Sequence, residues 1–313
     1  MTNAEQTEEN DIQKAANTWD TINIDQVRDV SWMAVPGVSE HLASLFGPVQ
    51  TSVVTCHELL AKRYPPEEHN DLKGLALVCG DMASEKYYFH YPSSPVRFAE
   101  VTGYDLSSVS LSRVQVDFPF NGVCEDVNQI ELKPESYDLV VGSHGLHHIK
   151  NIQNLFQQAH KALRPNGLIT FTEWIGPEYL QIPLRNRCVT TALLLALLPV
   201  KKRTTHMGQV KGFWLQYPPS EFDPSEACNS TQIMPEYEKY FHPLLKVVYG
   251  GILYPALEGL GGNYPEHFPY YCRKTQGFSD IFSGFQWFLV YTISGCSGPQ
   301  RILEYITESR RGL

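Results

Sequence analysis

The chain has no CxxC pair, no basic N-terminal run, no apolar stretch long enough to cross a bilayer and little clustered positive charge. Each shortage excludes a class of function. The cysteines (Cys56, Cys79, Cys124, Cys188, Cys228, Cys272 and Cys296) are odd in number and lack ligand spacing. They fit reduced thiols in a cytoplasmic setting better than a disulfide framework or a zinc ribbon. Met1 to Asp11 is polar and acidic, unlike a secretory leader. The longest apolar stretch, Val189 to Val200, is too short to span a membrane and carries Thr190 and Thr191, so it is expected as a buried helix. Basic residues cluster only at Lys201-Lys202-Arg203 and Arg310-Arg311, in a chain of net charge −9. Nucleic acid is therefore disfavoured as a partner, and so is a membrane.

What is present is ordinary globular composition, 42% hydrophobic and 19% charged over 313 residues, enough to bury a large core. Residues 1 to about 15 suggest a solvated tail, and the anchoring aromatics and aliphatics from Trp19 to Met33 suggest short helices. Val38 to Phe46 and Val53 to Tyr64 are expected as helices, the second stopped by Pro65-Pro66. From residue 73 the texture changes to short apolar runs ending in turns. Gly74 to Gly80, Glu100 to Asp105, Tyr137 to Ser143 and Leu168 to Trp174 are expected strands, with a weaker one at Val114 to Phe118. Ile152 to Leu163 has helical periodicity, and Arg164-Pro165-Asn166-Gly167 is a turn.

Strands alternating with helices predict an α/β fold with a doubly wound, mostly parallel, seven-stranded Rossmann-like sheet. The alternation stops after Trp174. The expected organisation is an N-terminal tail and helical segment over 1–70, a cofactor-binding α/β core over 71–175 and a helical cap over 176–245. Late strands and a tail follow over 246–313. Cys188 to Leu198 and Glu236 to Phe241 are the expected cap helices, and Leu244 to Tyr249 and Phe285 to Ile293 the late strands.

A doubly wound sheet binds its ligand at the carboxyl ends of the strands, near the switch in strand order. Cys79-Gly80-Asp81 ends the first strand, where glycine lets backbone approach a ligand. Asp105, followed by Leu106, ends the second and is placed to accept hydrogen bonds from a ribose diol, or to cap the next helix. Glu125-Asp126-Val127 lies where an acidic side chain can meet an adenine amine, and Ser143-His144 ends the fourth strand. An acid some two dozen residues after a glycine turn also fits dinucleotide binding, so spacing alone does not separate the two kinds of cofactor.

The ordered set Leu77-Val78-Cys79-Gly80, Gly103-Tyr104-Asp105-Leu106-Ser107, Tyr137-Asp138-Leu139-Val140, Leu146-His147-His148-Ile149 and Leu163-Arg164-Pro165-Asn166-Gly167 resembles class I S-adenosylmethionine-dependent methyltransferases of the small-molecule type. Glu173-Trp174-Ile175-Gly176-Pro177, Asp223-Pro224-Ser225-Glu226-Ala227, Ile233-Met234-Pro235 and Tyr249-Gly250-Gly251 resemble a bacterial subgroup linked to glycan or secondary-metabolite methylation. The resemblance implies S-adenosylmethionine as cofactor, with Cys79, Gly80, Asp81, Asp105, Leu106, Asp126, Val127 and Ser143 around it. It implies a small-molecule acceptor and leaves room for a homodimer. Val78 and Met82 stand where the family usually has glycine.

His144, His147 and His148 are the candidate bases for an oxygen acceptor, His144 and His148 ahead of His147, because histidine takes protons near neutral pH. No metal is expected, since adjacent residues on a strand point to opposite faces. Glu173, Trp174 and Tyr254 are candidate substrate contacts, and Trp19 and Trp32 candidate pocket lining; a solvated strand-end acid fits Glu173 equally, and core or cap packing is the commoner role of such aromatics. Two rivals are a non-catalytic methyltransferase-like scaffold and a nicotinamide-dependent oxidoreductase. The second requires a GxGxxG turn that Gly80 to Glu85 lacks.

Overall fold

The computed structural model describes residues 3–21, 35, 38, 52–65, 67, 69, 71–205, 208–213, 223–250, 256, 257, 260 and 301–309. Its principal elements run α1 (Asn3–Thr21), α2 (Ser52–Arg63), β1 (Leu72–Leu77), β2 (Phe98–Asp105), β3 (Phe120–Cys124), β4 (Tyr137–Ser143), α3 (Ile152–Ala162), β5 (Leu163–Trp174), α4 (Leu184–Leu197), α5 (Ile233–Tyr237), β6 (Phe241–Gly250) and β7 (Arg301–Ser309). The strands form one sheet in the order β3-β2-β1-β4-β5-β7-β6. The β1–β2, β1–β4, β2–β3 and β4–β5 pairs are parallel, whereas β7 runs antiparallel to both β5 and β6. The chain moves outward in one direction from β1 to β3 and returns past it to β4. The switch point, and with it the ligand crevice of such a sheet, therefore lies between the carboxyl ends of β1 and β4.

Both faces of the sheet are covered, which explains why its central strands are continuous apolar runs. On one face Leu75, Leu77, Val140, Ile169 and Phe171 pack with Leu155 and Phe156 of α3 and with Tyr237 and Phe241. On the other, Ala76, Val101, Leu139, Val141 and Leu168 meet Val53, Cys56 and Leu60 of α2. Two of the motif charges are structural. Asp138 is buried, accepts the Lys73 amide at 2.8 Å and pairs with Arg164 at 2.8 Å. The Pro165-Asn166 turn loops out between Tyr137↔Leu163 and Leu139↔Leu168, with Asn166 left-handed at φ 69°.

Several expectations are corrected. Residues expected as a solvated tail form α1, whose buried Ala15 gives it an anchor. The third strand lies after Pro119, not before it: proline has no amide to donate, but its carbonyl accepts the Val101 N–H at 2.9 Å and so opens the pairing. The apolar run expected as a buried helix is α4, which exposes Leu184, Val189 and Leu195, with Val200 exposed just beyond it. The helix placed at Glu236 to Phe241 spans Ile233–Tyr237, and Phe241 already begins β6. Arg301–Ser309, read as part of the C-terminal tail, is a strand between β5 and β6. The strand expected at Phe285 to Ile293, the helix at Val38 to Phe46 apart from Val38, and Trp32 lie outside the described residues. Among the described residues no helix is long and apolar enough to cross a membrane.

Candidate active site at the carboxyl edge of the sheet

The turn after β1 follows an unusual backbone path. Val78, Gly80 and Met82 all adopt left-handed backbone, at φ 52°, 52° and 61°. For Val78 and Met82 this costs about 1–2 kcal/mol each, because the Cβ crowds the following carbonyl. Glycine is the residue this path favours, which is the physical content of the glycine positions that Val78 and Met82 occupy. The turn is nevertheless held: the Cys79 amide donates to Tyr104 O at 3.1 Å, Met82 N donates to Cys79 O at 2.8 Å, and Met82 is wholly buried. Val78 gains its room across the crevice, where a Cβ on Gly145 would stand 2.6 Å from that of Val78. The missing side chain at Gly145 offsets the extra one at Val78. At Gly80 itself a Cβ would meet nothing within 4 Å, so the turn is open to a ligand there.

Carboxyl groups gather at this opening. Asp105, 8% exposed, accepts the Gly80 amide at 2.7 Å on Oδ2 and the Ser107 amide at 2.8 Å on Oδ1. Each oxygen keeps a second lone pair. The helix cap is Ser107, which accepts the Ser110 amide; Asp105 is not the cap. Asp81 accepts the Ala83 amide at 3.0 Å. Glu85 lies buried beside them, and burial, reinforced by the charges of Asp81 and Asp105, pushes its carboxyl up to about 8. Burial also raises the Asp105 carboxyl, and it raises the Cys79 thiol well above its ordinary range. α1 adds a further acid, Asp20, which accepts a 2.5 Å hydrogen bond from Ser107 Oγ. Such a desolvated acidic group suits a cationic ligand that also offers hydroxyl donors. Of the other expected cofactor residues, Leu106 is half-buried and its carbonyl faces Cys124 Sγ. Asp126 caps the turn after β3 by accepting the Asn128 amide, and Ser143 ends β4 half-buried. The Val127 side chain is packed in the core, so only its backbone faces the edge.

The histidines do not continue β4. The chain turns left-handed at His144 (φ 56°), leaving that side chain exposed, and His147 and His148 follow in a short helical turn. Their rings are 4.2 Å apart and tilted by 38°, so the opposite-faces expectation for a strand does not hold here. His147 Nδ1 makes a very short hydrogen bond to Glu173, and its Nε2 lies 3.5 Å from Glu226 Oε1. His148 Nδ1 is 3.0 Å from Ser225 Oγ, which donates at 2.7 Å to Asp223, and its Nε2 lies 3.8 Å from Glu226 Oε2. Trp19 of α1 sets its ring edge against His148 at 5.2 Å and donates to Asp223 at 3.0 Å. Burial works against a charged His147, but Glu173 outweighs it and the ring is held well above its usual pKa. Burial, helped by the neighbouring His147 charge, pulls His148 down to about 4. Burial alone would raise both carboxylates, yet His147 holds Glu173 and Glu226 below their ordinary range. His147, His148 and Glu226 present ligand atoms within 4.8 Å of one another, the one such group among the described residues.

Glu173 is fully buried and not solvated: it also accepts the Leu146 and Trp174 amides, both at 2.6 Å. With no exposed surface it does not reach an acceptor as expected, and it bears on the edge through His147, the Leu146 amide and the charge it places near His144. Trp174 is likewise packed, over Gly176, with its Nε1 toward Pro177 O. Tyr254 lies outside the described residues. Glu85, Asp20, Asp223, Ser225 and Glu226 were not expected at the site, although the Asp223 to Glu226 segment stood out in the sequence.

Residues 76–171, which hold the turn, the strand ends and the histidines, match the family model described as a methyltransferase domain. This segment reads as a methyltransferase domain. Over 96 residues it is 35% identical to a protein of Saccharomyces cerevisiae described as a probable S-adenosylmethionine-dependent methyltransferase, CRG1. That match covers 28% of this chain and 32% of the yeast protein, so this chain matches about a third of the relative's length. Among solved structures, an S-adenosylmethionine-dependent methyltransferase from Mesorhizobium loti aligns at 14% identity over 80% of this chain and 98% of that one, with a TM-score of 0.40. A Leishmania major methyltransferase aligns at 12% identity over 95% of this chain and 83% of that one, with a TM-score of 0.44. The open turn at Gly80, the Asp105 carboxylate and the acids around them suit S-adenosylmethionine, a cofactor that carries a positive charge and hydroxyl donors.

Proposed function

We propose that the protein methylates the oxygen of a small hydroxylated acceptor, a sugar or a secondary metabolite, using S-adenosylmethionine. The observation that carries this reading is the convergence of Asp81, Glu85 and Asp105 on the open turn at Gly80, next to the histidines that follow β4. When bound, the cofactor supplies a methyl group on a positively charged sulfonium. Asp105 accepts the ribose hydroxyls with the lone pairs left over from Gly80 and Ser107, and Asp126, at the end of β3, meets the adenine amine. Gly80 gives the approach its space, and Cys79, Asp81, Leu106 and Ser143 complete the wall.

The acceptor lies over the histidines. The segment between β5 and β6 acts as its cap, shorter than the expected 176–245 because β6 already begins at Phe241; this reading is supported by Asp223, Ser225 and Glu226, which come from the segment and reach His147 and His148. His144, exposed immediately after β4, takes the acceptor proton, and His148 is the second candidate. His147, with carboxylates at both ring nitrogens, positions the edge and is not the base. Holding acceptor and methyl in line in a site screened from water supplies most of the rate.

Incubation with S-adenosylmethionine carrying a 13C-methyl group, against a panel of glycosides and polyphenols, tests the reading by NMR of the products. A labelled methyl ether is expected. Label on nitrogen or carbon, or no transfer to any acceptor, overturns it.

A further inference from the structure

We propose that His147, His148 and Glu226 bind a divalent transition-metal ion at the acceptor side of the crevice. The ligand types are imidazole, imidazole and carboxylate, which suit zinc and its neighbours. Ligand atoms about 2.1 Å from one ion in tetrahedral geometry lie roughly 3.4 Å from each other. Here Glu226 Oε1 stands 3.5 Å from His147 Nε2 and Glu226 Oε2 stands 3.8 Å from His148 Nε2, and one ligand atom from each of the three residues lies within 4.8 Å of the other two. An ion between them requires the ligand atoms to close by up to about an ångström, within reach of side-chain torsions.

The surroundings are those of a prepared site and not of a chance cluster. A metal-binding histidine characteristically hands its other ring nitrogen to a carboxylate or hydroxyl, which fixes its orientation. His147 gives Nδ1 to Glu173, itself clamped by two backbone amides. His148 sets Nδ1 against Ser225, and Ser225 is tied to Asp223. Trp19 fixes the outer face of His148. Three protein ligands leave a coordination position open, the mark of a site that takes water or substrate. Glu226 and His148 remain partly exposed, so that position can face the crevice. An oxygen acceptor seated there loses its proton more readily, because the ion stabilises the resulting alkoxide.

This inference rests on the proposed function only for the acceptor's identity; the ion site stands on its own residues. Protein stripped with EDTA is titrated with Co2+ and followed by visible absorption, with binding of S-adenosylhomocysteine measured in parallel. One equivalent of Co2+ is expected, with the d–d bands of nitrogen and oxygen ligation. His148→Ala and Glu226→Gln should each weaken uptake at least tenfold, and Ser225→Ala by roughly 10-fold through its hold on His148. Circular dichroism separates this from unfolding, and Glu226→Gln preserves the side-chain shape. No uptake by the wild-type protein overturns the proposal. So do thiolate charge-transfer bands, or uptake unchanged in both ligand variants. Failure to bind S-adenosylhomocysteine with Co2+ uptake intact would instead count against the methyltransferase reading alone.

Discussion

Glu173→Ala should lower folding stability by roughly 3–5 kcal/mol, the scale for breaking a buried ion pair from one side. Glu173 has no exposed surface, and its carboxylate holds His147 together with the amides of Leu146 and Trp174. Alanine strands two backbone donors and an imidazole away from water, and it leaves a cavity in the β4–β5 layer. Glu173→Gln keeps one oxygen as acceptor and should lose distinctly less. Guanidinium melts of the three proteins measure the difference. A loss below about 1 kcal/mol for the alanine variant would show that the carboxylate is not the tie between β5 and the histidine turn.

The second large effect depends on pH. The folded Glu85 carboxyl titrates near 8, against an ordinary value of 4.5. Below 4.5 it is protonated in both folded and unfolded chains and contributes nothing. Between 4.5 and 8 only the folded chain keeps the proton, so stability falls with rising pH by about 1.4 kcal/mol per unit. Above 8 the cost of burying the charge is complete and constant. Glu85→Gln removes this slope while keeping the side-chain shape. From pH 5 to 8 the wild-type protein should therefore lose about 3–4 kcal/mol relative to the variant. Chemical melts at four or five pH values give the comparison, and parallel profiles for the two proteins would rule out a buried neutral Glu85.

What the sequence reveals follows from how local the cause is. β4 is legible to the residue because Tyr137–Ser143 is an apolar run buried on both faces and bounded by polar turns. β3 is not, because it is an edge strand with Phe120, Asn121, Gly122 and Cys124 all at least partly exposed, so no burial pattern marks it. The first part of α1 reads as a tail because most of its residues are polar; Trp19 is legible as an anchor, but the partners of Trp19 and Asp20, Asp223 and Ser107, lie far along the chain. The turn after β1 is legible as a departure at Val78 and Met82. Its resolution, a left-handed path paired with Gly145 across the crevice, is tertiary. The same holds for the histidines. Their presence is a local motif, but treating them as strand residues misplaces the rings, and Glu226 approaches from 78 residues beyond His148. Glu85 was in view within the loop, and only its burial beside Asp81 and Asp105 marks it as part of the site.

In the proposed function S-adenosylmethionine binds across the carboxyl ends of β1, β2 and β4 with Asp105 on its ribose. Isothermal calorimetry of S-adenosylhomocysteine against the wild-type protein and Asp105→Ala tests it most directly. One site per chain is expected in the wild type. The substitution should weaken binding by about 1–3 kcal/mol, since a charged hydrogen-bond acceptor is lost, while circular dichroism stays unchanged. Equal affinity in the two proteins would contradict the ribose assignment and move the cofactor away from this edge of the sheet.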